Sequence, residues 1–443
     1  MTVPQEHSLS LRRFLRPFQR VLGHAQRRKW CPLYLRGLMA PLERKSLQPL
    51  AEYVAPGQYS QLHHFVTVSS WKNDQLQAAL ARQAQRLVGG PNAVLIVDDT
   101  AFPKQGECSV GVARQYCGVL GKVANCQVLV SLTLAKNDIP VPLALRLFLP
   151  KEWTADPERC AAVGVPAEHR DFLTKKDVAV EEIDRVRRQG VTFKVVVADA
   201  GYRNSAEFRQ ALSARGLTWA VGVPSTQKVY STHVQLLTDR RSKTGRLLVP
   251  IPDEQRKSVA QILHALPPYQ WVSRTWRLGT KGPLRARFAV MRVRVADGGE
   301  LHDGSHLPGE EVWVVGERRS SGERKYDLTN HPAKTTKIEI IRDIKARWSC
   351  EQLHQQLKEE LGLDHFEGRS WRGLHHHALL CMMAMTYLQA LRLNGEPTDP
   401  LTLPAVRRRV GQVFSGTFTP CSIRSPPQAS TDQQPLNVVQ KPK

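Results

Sequence analysis

The stretch Ala93-Val-Leu-Ile-Val-Asp98-Asp99-Thr100 decides how the chain is read. Five apolar residues in an unbroken run, closed by acids, predict a short strand buried on both faces. A second run, Phe193-Lys-Val-Val-Val-Ala-Asp199, ends the same way. Between the two, Asn125 to Ala135 and Ile139 to Leu149 read as strands joined by a turn at Asn137-Asp138, and Val178 to Arg188 reads as a helix closed by Gly190. The order strand, two hairpin strands, helix, strand predicts an α/β core with acidic residues at strand carboxyl ends, where such sheets place their sites.

A third acidic residue comes from Arg347-Trp-Ser-Cys-Glu351-Gln-Leu-His-Gln-Gln-Leu-Lys358. The segment from Lys337 to Leu361 holds neither Pro nor Gly, so it predicts one helix with Arg347, Glu351 and Lys358 on a single face. Taken alone, Glu and Lys on a helix describe a solvated face. Three carboxylates from two strand ends and a helix, however, make an oxygen donor set suited to hard divalent cations and phosphoryl transfer. Asp98 and Asp99 compete for the first of these positions. Period two puts Leu95, Val97 and Asp99 on one face and Val94, Ile96 and Asp98 on the other, and apolarity does not choose between them.

With these residues in view, the chain resembles bacterial insertion-sequence transposases of the DDE type, in the branch whose signature is Tyr, two residues, Arg, three residues, Glu, six residues, Lys. Arg347, Glu351 and Lys358 match in residue and spacing, while Ile344 stands at the Tyr position. The resemblance extends to Asp-Asp-Thr-Ala-Phe-Pro-Lys-Gln-Gly (98 to 106), Ala-Asp-Ala-Gly-Tyr (198 to 202) and Gly-Leu-Asp-His-Phe-Glu-Gly-Arg-Ser-Trp-Arg-Gly (362 to 373), in order over most of residues 11 to 412.

The resemblance implies an RNase H-like core, interrupted by a β-rich insertion and preceded by a helical domain. It implies Asp99, Asp199 and Glu351 as catalytic metal ligands, Asp99 being chosen over Asp98 because the catalytic residue precedes Thr. Two Mg2+ ions, with Mn2+ as a substitute, would be the cofactor. Arg347 and Lys358 would bind phosphates, and Trp313 stands where relatives carry an aromatic residue that stacks on a base near the cut, although a strand tryptophan is most simply core. The implied activity is metal-dependent cleavage of element ends and joining of their 3'-hydroxyls to target DNA by a homodimer. The rivals are a domesticated DNA-binding protein without catalysis and a metal-dependent endonuclease that does not join.

Composition agrees with a polyanion partner: Lys and Arg exceed Asp and Glu by 23 and the pI is near 10.0. Eight Cys without a CxxC pair, no apolar signal core and no apolar run of membrane length predict a cytoplasmic, nucleoid-associated protein with reduced thiols and no membrane contact. Residues 1 to 90 read as a basic helical DNA-binding domain, with ten Lys or Arg against two Glu in the first fifty. Residues 91 to 223 read as the first part of the core, 224 to 335 as the insertion, 336 to 414 as the second part of the core, and 415 to 443 as a disordered tail.

Within the insertion, Arg285, Arg287, Arg292 and Arg294 predict a half-buried strand with a basic face. Consecutive His375, His376 and His377 point in different directions on a helix and are read as core or surface residues rather than ligands of one ion.

Overall fold

The computed structural model describes residues 3–199, 201, 206–238, 249–279, 282–394 and 402–414. The chain opens with five helices: α1 (Val3–Leu22), α2 (Ala25–Met39), α3 (Leu47–Val54), α4 (Tyr59–Thr67) and α5 (Asn73–Val88). Then come β1 (Val94–Pro103), β2 (Ala113–Cys117), β3 (Lys122–Lys136) and β4 (Ile139–Leu147). Asn137 and Asp138 both take positive φ, 51° and 60°, so the β3–β4 hairpin closes through a two-residue turn that matches strand twist. Short helices α6 (Lys151–Thr154) and α7 (Pro157–Ala162) lead to α8 (Lys175–Arg188), whose start is fixed by a reciprocal cap between Thr174 and Asp177. The core strands end with β5 (Val195–Ala198), α9 (Ala206–Ala214) and β6 (Trp219–Gly222).

β1 pairs antiparallel with β3 and parallel with β5, β5 pairs parallel with β6, and β4 lies beyond β3. As expected for an unbroken apolar run, β1 is buried on both sides. Val94 and Ile96 share a core with Val195, Val197, Ile340, Ile341 and Cys350, whereas Leu95 and Val97 share another with Val130, Val178, Ile183 and Ala198.

The following region contains the small strands β7 (Lys228–Tyr230), β8 (Leu236–Leu237), β9 (Ile251–Pro252) and β10 (Lys257–Ser258), then α10 (Val259–His264). Four longer strands follow: β11 (Val272–Gly279), β12 (Gly282–Val295), β13 (Glu311–Arg318) and β14 (Arg324–Thr329). It is β-rich as expected, and β14 pairs with β6, so its strands continue the core sheet. The expectation of one basic face on β12 is corrected. Ala286, Phe288 and Val290 face one core while Ala289, Val293 and Val295 face the other, so Arg285 and Arg287 lie on the opposite side of the strand from Arg292 and Arg294. The apolar run Ala289-Val290-Met291 switches the parity.

The single helix expected from Lys337 to Leu361 is also corrected: it is two helices, α11 (Lys337–Lys345) and α12 (Trp348–Glu359). At the joint Arg347, Ser349 and Cys350 donate their N–H groups three residues back, to Ile344, Ala346 and Arg347, which is a 3₁₀ step. Finally α13 (Trp371–Leu393) begins at the Ser370 cap, and α14 (Leu403–Phe414) follows. α13 is buried almost all round, packed by α2, α4, α5, α14 and β4. The N-terminal helices therefore share one apolar core with α12–α14 and with Leu129, Leu145 and Leu147 of the sheet. The tail from 415 lies outside the described residues.

Candidate active site at the β1 and β5 carboxyl ends

Register decides which acids meet. Val97 is opposite Ala198 in the parallel β1–β5 pair, and both belong to the core beside α8. One residue further along each strand, Asp98 and Asp199 therefore turn to the other face, towards α12. Asp98 and Asp199 feel each other's charge: burial first, then Asp199, pushes the Asp98 carboxyl up to about 7, with Arg347 opposing. Arg347 joins the remaining parts. Its Nη1 lies 3.0 Å from Asp199 Oδ1 and its Nη2 lies 3.1 Å from Glu351 Oε1, one helical turn along. Burial works against the guanidinium's charge, but Asp199, Glu351, Asp98 and Asp327 more than offset it.

Asp99 is on the other side. Its Oδ2 accepts from Lys175 Nζ of α8 at 2.8 Å. The sequence expectation groups Asp99 with Asp199 and Glu351, whereas in the structure it is Asp98 that shares their face of the sheet; a single-residue step along a strand reverses the face. Lys358 shares the Glu351 side of α12, yet its ammonium donates to the Ala101 carbonyl at 3.0 Å and lies 5.5 Å from the Phe102 ring centroid, so it ties α12 to the exit of β1. Trp313 is 9% exposed in the core against α11, and its indole N–H donates to the His331 carbonyl at 3.0 Å. In this conformation it offers no free ring face to a base beyond the one covered by Arg292. Ile344, at the expected Tyr position, is buried apolar packing beside the cluster.

Sequence reading missed Asp327. It lies on β14 opposite Gly222, and burial together with the Glu317 and Asp199 charges raises its carboxyl to about 6 against the pull of Arg347 and Lys345. β14 carries no apolar run that would have marked it. The cluster opens into a cleft of about 1310 Å³ between α12 and the strands of the β-rich region, with Arg277, Arg285, Arg287, Arg318, Arg319, Arg324 and Lys325 among its walls. Arg277 lies over the Trp348 ring, 3.3 Å from its centroid. A cation-walled cleft with carboxylates at its floor is suited to a polyanion that must present one phosphate to acidic ligands.

The donor set fits a divalent cation. Hard carboxylate oxygens from Asp199 and Glu351 meet at the Arg347 guanidinium with Asp98 close by, and the Asp98 carboxyl, raised first by burial and then by the Asp199 charge, is a group whose anion a dication would stabilise. The histidine tract, as expected, is structural. His375 donates through Nδ1 to the Trp371 carbonyl and accepts from the Leu147 N–H, His376 donates to the Val66 carbonyl, and His377 donates to the Gly362 carbonyl and accepts from the Tyr34 hydroxyl. Among the described residues no helix is long and apolar enough to cross a membrane.

This chain is similar to known proteins in sequence and in outline. The family described as DDE superfamily endonuclease matches residues 17–283. A probable transposase for insertion sequence element IS701 from Microchaete diplosiphon is 25% identical over 363 residues, covering 81% of this chain and 80% of that protein. Among solved structures, a piggyBac transposase synaptic complex with hairpin DNA overlaps 88% of this chain and 71% of its own at 8% identity, with a TM-score of 0.45. Divalent metal ions are the cofactor of DDE endonucleases, and their substrate is DNA. With a family match over more than half its length and a relative of similar span, this chain belongs to the DDE superfamily endonucleases and is a DDE-type DNA transposase.

Proposed function

We propose that the chain cuts the ends of an insertion sequence and joins their 3'-hydroxyls to target DNA, with Asp98, Asp199 and Glu351 as the metal-holding carboxylates. The observation that carries the reading is the contact of Asp199 and Glu351 with Arg347 in the cation-walled cleft, with Asp98 near enough for its charge to act on both Asp199 and Arg347. The strand order β4-β3-β1-β5-β6, with only β3 antiparallel to the rest, supports an RNase H-like core. In this reading residues 91–223 and 336–414 make that core, 224–335 the β-rich insertion, and 1–90 a basic helical unit for the element's terminal repeats. A homodimer acts at the nucleoid, bringing two ends together.

Two divalent ions, Mg2+ or in its place Mn2+, would be held by Asp98, Asp199 and Glu351 and would supply activation of an oxygen nucleophile and charge for the leaving oxygen. The chain's own residues do the rest. Asp98 and Asp199 are held side by side by the β1–β5 register, and Glu351 is held by α12, so the ligands sit on rigid elements. Arg347 orients Asp199 and Glu351 and offers its cation to the scissile phosphate. The arginines of the cleft position the flanking backbone, since phosphoryl transfer is mainly positioning and charge. Lys358 fixes the end of β1 against α12.

The test incubates the parent and a Glu351→Gln variant with labelled end DNA and a target plasmid, in Mg2+ or EDTA, resolved on a denaturing gel. Metal-dependent nicks and joined products are expected from the parent alone, with end binding retained by both. A parent that binds verified ends yet yields no metal-dependent product overturns the reading in favour of a binding protein, and nicks without joined products reduce it to an endonuclease.

A further inference from the structure

Directly beneath the acidic cluster, α12 turns Cys350 and His354 towards β1 and β3. The two are four residues apart on one helical face, with Sγ and Nε2 separated by 3.5 Å. Asp98 completes the group, and one donor atom from each of the three lies within 4.8 Å of the others. Ser131 Oγ is close to both helix residues, 2.8 Å from His354 Nε2 and 3.8 Å from Cys350 Sγ. Neither Cys350 nor His354 serves phosphoryl transfer: both are buried, and sulfur is a poor ligand for Mg2+.

We propose that Asp98, Cys350 and His354 form a site for a thiophilic divalent cation, zinc or cadmium, and that an ion there withdraws Asp98 from the catalytic cluster and stops DNA cleavage. The inhibitory half rests on the reading of Asp98 as a catalytic carboxylate; the binding half does not. Sulfur, imidazole nitrogen and carboxylate oxygen are the donor types of tetrahedral zinc sites, whose bonds of about 2.0–2.3 Å put ligand atoms roughly 3.3–3.8 Å apart. The Cys350–His354 pair already stands at that separation, so only the Asp98 carboxyl has to close in.

Charge also favours the ion. Binding displaces the thiol proton of Cys350 to solvent, and the thiolate and the Asp98 carboxylate then cancel the two positive charges, so no net charge is buried. Burial keeps His354 a neutral imidazole, its pKa pushed down to about 3, which is the form that ligates metal. A fourth ligand is within reach in Ser131 Oγ or a water. In the metal-free arrangement the same groups plug the site by hydrogen bonding, Cys350 with Thr133 Oγ1 at 3.2 Å and His354 with Ser131, which keeps Asp98 available to the cluster above.

The probe is Co2+, added to the full-length chain without a histidine tag. A thiolate-to-cobalt charge-transfer band is expected in the near ultraviolet, saturating at a single ion per chain and bleached by Zn2+. Cys350→Ser should abolish the band, and His354→Gln and Asp98→Asn should each weaken cobalt affinity. Circular dichroism confirms which variants are folded, and those two cover the case of a misfolded Cys350→Ser. No band in the parent, or a band that survives in Cys350→Ser, overturns the site.

In the Mg2+ cleavage assay, Cys350→Ser should raise the Zn2+ concentration for half-inhibition, relative to its own uninhibited rate, by about tenfold or more. An unchanged value overturns the inhibitory half. A chain that binds cobalt but cuts no DNA refutes the transposition reading alone, while one that cuts DNA but gives no band refutes this site alone.

Discussion

The two faces of β1 carry adjacent carboxylates in opposite circumstances. Asp98 looks towards α12, half-buried among Asp199, Arg347, Cys350 and His354, where burial first and then like charge raise its pKa to about 7. Asp99 looks towards α8 and is paired with Lys175, both groups about a quarter to a third exposed. The first carboxylate is destabilised as an anion and needs a cation it does not fully have; the second has its cation in place. Perturbed carboxylates gather at sites of chemistry, whereas satisfied surface pairs usually contribute little. The contrast teaches that a sequence motif can name a strand end correctly while the pleat decides which face each of its residues takes.

The strongest way to break this comparison is to neutralise each acid in turn. Asp98→Asn is expected to lower metal-dependent end cleavage on the order of a thousandfold, the scale on which one transition-state electrostatic group acts. Asp99→Asn should cost no more than roughly ten- to a hundredfold, the scale for a group near a site that is not itself a ligand. Single-turnover cleavage of labelled ends measures both, and equal loss, or the reverse order, would return the first ligand to Asp99.

The helices over the two faces sharpen the comparison through acid. α13, in the layer over the Asp98 face, carries His375, His376 and His377, with pKa values pushed down by burial to about 4, 3 and 4, while α8 has no histidine. Folded values below the ordinary 6.5 mean that the unfolded chain binds more protons between about pH 4 and 6.5. Stability from these histidines is therefore complete above pH 6.5 and is lost as pH falls, by up to about 1.4 kcal/mol per pH unit for each group. Urea unfolding at several pH values should show this fall, and His376→Asn should flatten it while costing stability at neutral pH, where its stacking on Trp71 is lost. A slope unchanged by the substitution would assign the acid lability to other groups.

The smallest effect belongs to the α8 face. Lys175→Met should destabilise the fold by about 1 kcal/mol or less, as partly exposed ion pairs do, and a thermal melt is sufficient to check it. A loss several times larger would make the Asp99 pair a structural anchor and weaken the contrast with Asp98.

Much of this was legible in the residues. Apolar runs ending at Asp99 and Asp199 gave the strands, and the spacing of Arg347 and Glu351 gave the ion pair that the fold realises. Asp98 was not legible, because parity along β1 acquires meaning only when Val97 is known to stand opposite Ala198. Asp327 was hidden because β14, Arg-Lys-Tyr-Asp-Leu-Thr, holds a lone Leu and no apolar run, and the break before α12 was hidden because Ala346 and Arg347 are good helix formers. Lys358 and Trp313 were found as residues, but contacts made across the fold, to Ala101 and His331, determine what they touch.

The ladder between β14 and β6 carries a consequence for anyone shortening the chain. Gly222, Val221 and Ala220 pair with Asp327, Leu328 and Thr329, and Trp219–Gly222 is buried along its whole length. Replacing residues 224–335 by a short linker would leave β6 an open, apolar border with unpaired N–H and C=O groups, the kind of edge on which sheets from separate molecules join. The excised protein would precipitate as polymers rather than survive as a minimal nuclease, so the β-rich region cannot be exchanged as a cassette between relatives unless its last strand travels with the recipient's core.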